Sequence, residues 1–226
     1  LARASSGALV AQLLKVPPFK LTGSQEQAIA EISQDLAAPT RMLRLLQGDV
    51  GSGKTLVALI AMLQVIENGH QAALMVPTEI LARQHFASLS KLCESLPLRI
   101  ALLTNREKGK AREKILTELA EGTLHLLIGT HAVFQEEVTF NALGLAVIDE
   151  QHRFGVHQRL AISEKGEAVD LLVMTATPIP RTLLLTSYGD MAVSKLTEKP
   201  PGRTPITTRV LPLNRYDEVV AGVGRA

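Results

Sequence analysis

The sequence contains no tryptophan, and aromatic residues make up only 3% of it. A protein that grips single strands mainly by stacking bases on aromatic rings needs more, so stacking is not expected to dominate any nucleic-acid contact. Cysteine is nearly absent: the lone Cys93 excludes an intramolecular disulfide and suits a reducing compartment. No apolar run approaches the roughly 20 residues of a bilayer-spanning helix. The opening stretch LARASSGALVAQLLKVPPF lacks a long apolar region and a convincing cleavage site, so no signal peptide is expected. Neither charge sign prevails. Lys and Arg number 24 against 22 Asp and Glu, a net charge of +2, and no basic block marks a binding arm. Internal repeats and low-complexity segments are also missing.

What remains is a chain of 226 residues, 46% hydrophobic and 20% charged, rich enough in apolar residues to bury a core. Short strand-like runs alternate with helical ones. MLRLLQ (42–47) precedes KTLVALIAMLQVIENG, closed by Gly69. AALMVP precedes EILARQHFASLSKLCESL, and RIALLT precedes KGKAREKILTELAEG, again closed by glycine. LHLLIGT, LAVIDE and DLLVMTAT complete the strand list. Strand–helix alternation with continuously apolar strands predicts an α/β domain with a mainly parallel sheet covered on both faces. Its expected extent is 21–198, after a lead-in at 1–20. TEKPPGRTP (197–205), with three prolines and a glycine, predicts a linker at 199–205. ITTRVLPL and RYDEVVAGV then read as one strand and one helix. These are too little for a core, and residues 206–226 are expected to begin a second domain.

GDVGSGKT (Gly48–Thr55) fits the phosphate-loop pattern G-x-x-x-x-G-K-[ST] and stands between a strand and a helix, as that motif requires. Gly48, Gly51, Ser52 and Gly53 would turn backbone N–H groups toward phosphates, helped by the positive end of the following helix. Lys54 would reach the β and γ phosphates of ATP, and the Thr55 hydroxyl would ligate Mg²⁺. A second stretch, GLAVIDEQHRFGV (144–156), carries an apolar strand straight into charge. A strand leaving the core can look like this. With a phosphate loop in the same chain, the acid pair reads instead as its metal and water partner. Asp149 would hold Mg²⁺ and Glu150 would polarise the water that attacks the γ phosphate.

GDVGSGKT, PTEILARQH, GTHAVFQ, DEQHRFGVHQR, MTATPIPRT and EKPPGRTP jointly resemble the first motor domain of the RecG family, within the DExH-type superfamily 2 helicases and translocases. The resemblance spans about residues 19–210. It implies a RecA-like, three-layer α/β/α phosphate-loop NTPase fold and an ATP-driven motor on duplex DNA. By the resemblance, Gln25 reads the adenine edge, although Thr22-x-x-Gln25 is also a capping box. Catalytic roles fall to Lys54, Asp149, Glu150 and His152. His152 and Gln151 couple nucleotide to DNA and to the second motor domain, and Thr175 and Thr177 link hydrolysis to movement. Thr78, Arg83, Thr130, His131 and Gln135 track a DNA strand through its phosphates, while Phe134 packs.

The implied partners are branched duplex DNA, forks and Holliday (four-way) junctions, with a wedge domain and a second motor domain in cis. The implied place is the bacterial cytoplasm, near the nucleoid. One departure is Asn105, where the family commonly has glycine; asparagine tolerates the left-handed backbone better than most residues. No arginine motif of the second motor domain follows in this sequence, so little ATP turnover is expected of these residues alone. The related transcription-repair coupling translocase Mfd shares RFG and TATPIPRT, but Ser52 and Gln151 favour RecG. A nucleotide-responsive module without turnover is the non-enzymatic alternative, and the intact Lys54, Thr55, Asp149 and Glu150 argue against it.

Overall fold

The computed structural model describes residues 6–15, 20–149, 165, 169–177, 191–198 and 211–223. Seven strands form one sheet: β1 (Leu43–Gly48), β2 (Gln71–Met75), β3 (Ile100–Leu103), β4 (Leu126–Gly129), β5 (Leu143–Asp149), β6 (Asp170–Thr175) and β7 (Ala192–Leu196). Their order is β3-β4-β2-β5-β6-β1-β7, and every neighbouring pair is parallel. The helices are α1 (Ala8–Leu13), α2 (Gly23–Ala37), α3 (Lys54–Glu67), α4 (Glu79–Leu92), α5 (Gly109–Ala120) and α6 (Tyr216–Val223). The expected parallel α/β sheet is present. β7 is a strand that the apolar periodicity does not announce. It lies at the sheet edge, and its alternately exposed residues lack a continuous apolar run.

Both faces of the sheet are buried, and the strand residues show it pair by pair. Leu46, Leu74, Ile128, Val147 and Leu172 join one core with α1 to α4. Their neighbours Leu45, Ala73, Leu127, Ala146 and Val173 join a second core with Leu119 of α5 and the 3-10 turn His131–Phe134. Successive side chains in a strand point to opposite faces, so two cores from one set of strands mean three layers. Phe134 is buried in the second core, which makes it a packing residue as expected.

Helix α3 is apolar almost all round, with Val57 to Leu63, Val65 and Ile66 buried, because it lies between the sheet and α1 and α2. Gly69 and Gly122 close α3 and α5 in the left-handed region at φ 77° and 78°. The lead-in is anchored. Oε1 of Glu67 accepts the N–H groups of Ala8 and Leu9 at 2.6 and 3.2 Å, and Oε2 accepts that of Gly7 at 2.8 Å. A carboxylate there satisfies N–H groups that the first turn of α1 leaves unpaired. Cys93 ends α4 in the core. Burial pushes its thiol up to about 11, so it packs and offers no reactive thiolate.

Candidate nucleotide-binding site

The sheet register brings the expected site to one edge. Gln47, the penultimate residue of β1, pairs with Thr175 at the end of β6, and Asp149 at the end of β5 pairs with Met174. Gly48 pairs with Leu196 of β7. The phosphate loop, Asp149 and Thr175 therefore share the carboxyl edge of adjacent strands, where open α/β sheets bind ligands. Met75 and Gly129 end at the same level, which sets Thr78 and Thr130 on that edge too.

The loop needs its glycines. Gly51 and Gly53 have φ of 77° and 88°, a region that side-chain-bearing residues enter at a cost. At Gly53 a Cβ would run into the amide of Gln25. At Gly48 a Cβ would lie 2.5 Å from Ser52 Oγ and 2.9 Å from Leu196 Cβ. Gln25 is buried and holds the loop from outside. Its Nε2 donates to the Ser52 carbonyl at 2.8 Å, and its Oε1 accepts the Thr22 N–H at 2.9 Å. The Thr22 hydroxyl in turn accepts the Gln25 N–H, completing the capping box of α2. The capping role is thus realised, and the same amide braces the phosphate loop.

Two observations point to an anionic ligand in this cradle. Ser52 Oγ is buried and has no hydrogen-bond partner among the described residues, a state that costs free energy unless a ligand or water meets it. Lys54 folds its ammonium back on the loop, donating to the carbonyls of Gly48 and Asp49 at 2.6 and 3.0 Å. Thr55 occupies the first turn of α3, half-buried beside Lys54.

Asp149 is the one member of the acid pair among the described residues. Glu150, Gln151 and His152 lie outside them, as do the expected linker 199–205 and most of the strand expected after it. The Asp149 carboxylate accepts from His85 Nε2 at 3.1 Å. Thr175 Oγ1 lies 3.1 Å from Thr177 Oγ1 and accepts the Thr177 N–H at 3.2 Å, closing a local turn.

Three of the side chains assigned to DNA tracking, Thr78, Arg83 and Gln135, meet protein partners. Thr78 caps α4 by accepting the Leu81 N–H at 3.3 Å. Arg83 Nη2 pairs with Glu107 Oε1 at 3.2 Å, and Gln135 Oε1 accepts from Arg112 Nη2 at 3.2 Å. Thr130 is buried and His131 is exposed. Around Glu107, burial alone would raise the carboxyl. Hydrogen bonds from the Thr104 hydroxyl and N–H, and the Arg83 charge, outweigh it and hold the group below its ordinary range.

Motif spacing does not reveal two contacts at this edge. His85 reaches Asp149 across 64 positions. Glu198 caps α2 by accepting the N–H groups of Gly23 and Ser24 at 3.2 and 3.0 Å. The available signal for His85 is helical: it falls between the buried Ala82 and Leu89 of α4 at spacings of three and four, where a polar residue needs a partner.

Residues 22–185 match the DEAD/DEAH box helicase family. The chain is 50% identical to the ATP-dependent DNA helicase RecG of Escherichia coli O157:H7, over 98% of this chain and 33% of that protein. It is 51% identical to RecG of Bacillus subtilis, over 94% of this chain and 31% of that protein. It thus spans about a third of these relatives. Among solved structures, RecG bound to a three-way DNA junction superposes with a TM-score of 0.86 at 44% identity, covering 98% of this chain and 30% of that one. The DUF1998 helicase MrfA shares the fold alone, with a TM-score of 0.71 at 18% identity, over 99% of this chain and 37% of that one.

Proposed function

The chain belongs to the DEAD/DEAH box helicase family, in which it aligns with RecG as the first motor domain, and on that premise we propose how its residues work. It is the nucleotide-binding half of an ATP-driven motor. In the whole protein that motor translocates on duplex DNA and remodels stalled forks and branched junctions. The observation that carries this reading is the cradle at the carboxyl edge of β1: a glycine-shaped loop with an unsatisfied Ser52 hydroxyl, the Lys54 ammonium held on it, and Asp149 at the end of β5.

The residues fit a magnesium nucleotide. Among the described residues no cluster of three or more His, Cys, Asp or Glu forms an all-protein cage. Magnesium takes one or two carboxylates together with phosphate oxygens and water, and Asp149 with Thr55 supplies a donor set of that kind. Bound Mg²⁺ neutralises charge on the β and γ phosphates. Lys54 exchanges its bonds to the loop carbonyls for phosphate oxygens, and Ser52 gains its missing partner. Gln25 keeps the loop in place and would read the adenine edge of a bound nucleotide. Glu150 takes a proton-bearing water and aims it in line with the γ phosphate, while His152 and Gln151 pass the nucleotide state toward DNA and the second motor domain. Thr175 and Thr177 lie one strand from the loop, where a change at the γ phosphate reaches them first. Thr78, Arg83, Thr130, His131 and Gln135 follow a DNA backbone along the same edge. The setting is the bacterial cytoplasm; among the described residues no helix is long and apolar enough to cross a membrane.

The test is a pair of variants in the full-length protein, assayed on a model fork. Glu150→Gln should keep ATP bound and lose fork-stimulated hydrolysis. Lys54→Ala should weaken binding itself. Undiminished hydrolysis in Glu150→Gln would remove that residue from the water, and fork-independent turnover in the wild type would sink the motor reading.

A further inference from the structure

We infer that His85 is a positioning residue for the magnesium ion, fixing the Asp149 carboxylate through one oxygen so that the other serves the ion. The inference rests on the nucleotide reading above and goes beyond its motifs, which leave His85 without a role.

Three features of the structure carry it. His85 Nε2 stands 3.1 Å from Asp149 Oδ2, and both side chains are largely covered, 14% and 15% exposed. A carboxylate oxygen can only accept, so the shared proton sits on Nε2. Second, α4 is built to deliver this ring. Ala82 and Leu89 are buried against the sheet while Arg83 and Gln84 are exposed. His85 thus takes an inward position that apolar packing would otherwise fill, and Asp149 is its polar partner. Third, the capped start of α4 at Thr78 follows β2 directly, and β2 is hydrogen-bonded to β5. The donor and the acceptor are therefore mounted on adjacent strands of a rigid sheet.

An aspartate at a strand end can rotate its carboxylate plane. Hydrogen bonding one oxygen removes that freedom before the ion arrives. Partners of metal-ligating groups commonly change metal affinity or activity by about 10- to 100-fold when removed.

The experiment uses full-length protein and equilibrium binding of a fluorescent ADP analogue, titrated with Mg²⁺ and repeated in EDTA. Gln and Asn differ in reach: the Gln amide extends to about where Nε2 lies, and the shorter Asn amide does not. His85→Gln should keep a midpoint near that of the wild type. His85→Asn and His85→Leu should each raise the Mg²⁺ midpoint on the order of tenfold or more, with affinity in EDTA unchanged. Equal midpoints for the Gln and Asn variants would overturn the proposal, and so would an equal loss of affinity in EDTA, which would mark His85 as packing alone. A wild type whose nucleotide affinity ignores Mg²⁺ would overturn the nucleotide reading itself and this proposal with it. Midpoints that shift on an intact wild-type response bear on His85 only.

Discussion

The two ends of the sheet's carboxyl edge differ in how their polar groups are satisfied. At the phosphate loop, a buried hydroxyl has no partner among the described residues and an ammonium is held by loop carbonyls. At the other end, around the starts of α4 and α5, four polar groups are already paired: Thr78 with its own helix, Arg83 with Glu107, Arg106 with Glu79 at 2.8 Å, and Arg112 with Glu137 at 2.8 Å. The first end is shaped to take up one anionic ligand, on the reading proposed above. The second is a partly self-neutralised surface whose paired charges must be shared before they meet a phosphate. On the proposed reading, tight, specific binding is expected at the first end and weak, salt-sensitive binding at the second.

The largest effect should come from breaking what stands behind the nucleotide end. Arg44 on β1 is buried and pairs with Glu31 at 3.1 Å and Asp35 at 2.7 Å on α2. It also donates to Ser194 Oγ on β7 at 2.8 Å. This knot seats α2, and through α2 it seats Gln25 against the loop. Removing one partner of a fully buried ion pair costs about 3–5 kcal/mol; here Glu31 and Asp35 keep 32% and 29% exposure, which sets this knot at the low end of that range. Arg44→Leu should therefore lower unfolding stability by about 3 kcal/mol in urea denaturation. The exposed pair Arg106–Glu79, on the opposite end, should cost no more than about 1 kcal/mol when Arg106 becomes Ala. Equal costs at the two ends would erase the contrast between them.

Next in size is the ligand itself. Lys54→Ala removes a charged donor from the phosphate site. A hydrogen bond to a charged group is worth about 1.5–3 kcal/mol, so the ATP Kd should rise about 10- to 100-fold. Arg83→Ala should leave that Kd unchanged. Calorimetry with a non-hydrolysable nucleotide checks both, and a weakened Kd in the Arg83 variant would mean that the two ends are one site.

The contrast also explains what could be read beforehand. The phosphate loop is contiguous, and its glycines and lysine are required by backbone geometry, so eight consecutive letters announce it. Most of the fold is equally open, because strands buried on both faces are continuous apolar runs. β7 breaks that rule: Val193 and Lys195 face outward and Ser194 is buried for the sake of Arg44. His85 and Glu198 act on residues far away in the chain, and only the folded sheet brings those pairs together. The residues assigned to DNA came from resemblance, and their intramolecular partners, such as Glu107 for Arg83, are invisible to motif spacing.

The smallest predicted effect concerns that pair. Arg83 is 45% exposed, Glu107 is 18% exposed, and such a pair contributes at most about 1 kcal/mol to stability. Its consequence for DNA is a matter of charge. Glu107 is held ionised below its ordinary range mainly by Thr104 against the opposing effect of burial. A depressed carboxyl adds stability above its unfolded pKa, about 4.3, and loses it as pH falls through the folded value. Across neutral pH the carboxylate therefore stays charged and offsets the charge of Arg83. Glu107→Gln keeps an oxygen for Thr104 and releases the guanidinium. Duplex affinity should rise severalfold at most, and the slope of log affinity against log salt should steepen by up to about 0.9, the value of one phosphate contact. Arg83→Ala should flatten the same slope by a similar amount, and neither shift should depend on sequence or on pH between 6 and 8. Anisotropy on two unrelated duplexes at several salt concentrations measures both variants. If Glu107→Gln leaves the slope unchanged while Arg83→Ala still destabilises the fold, Arg83 is a brace for the Thr104 turn and the phosphate path runs elsewhere along the edge.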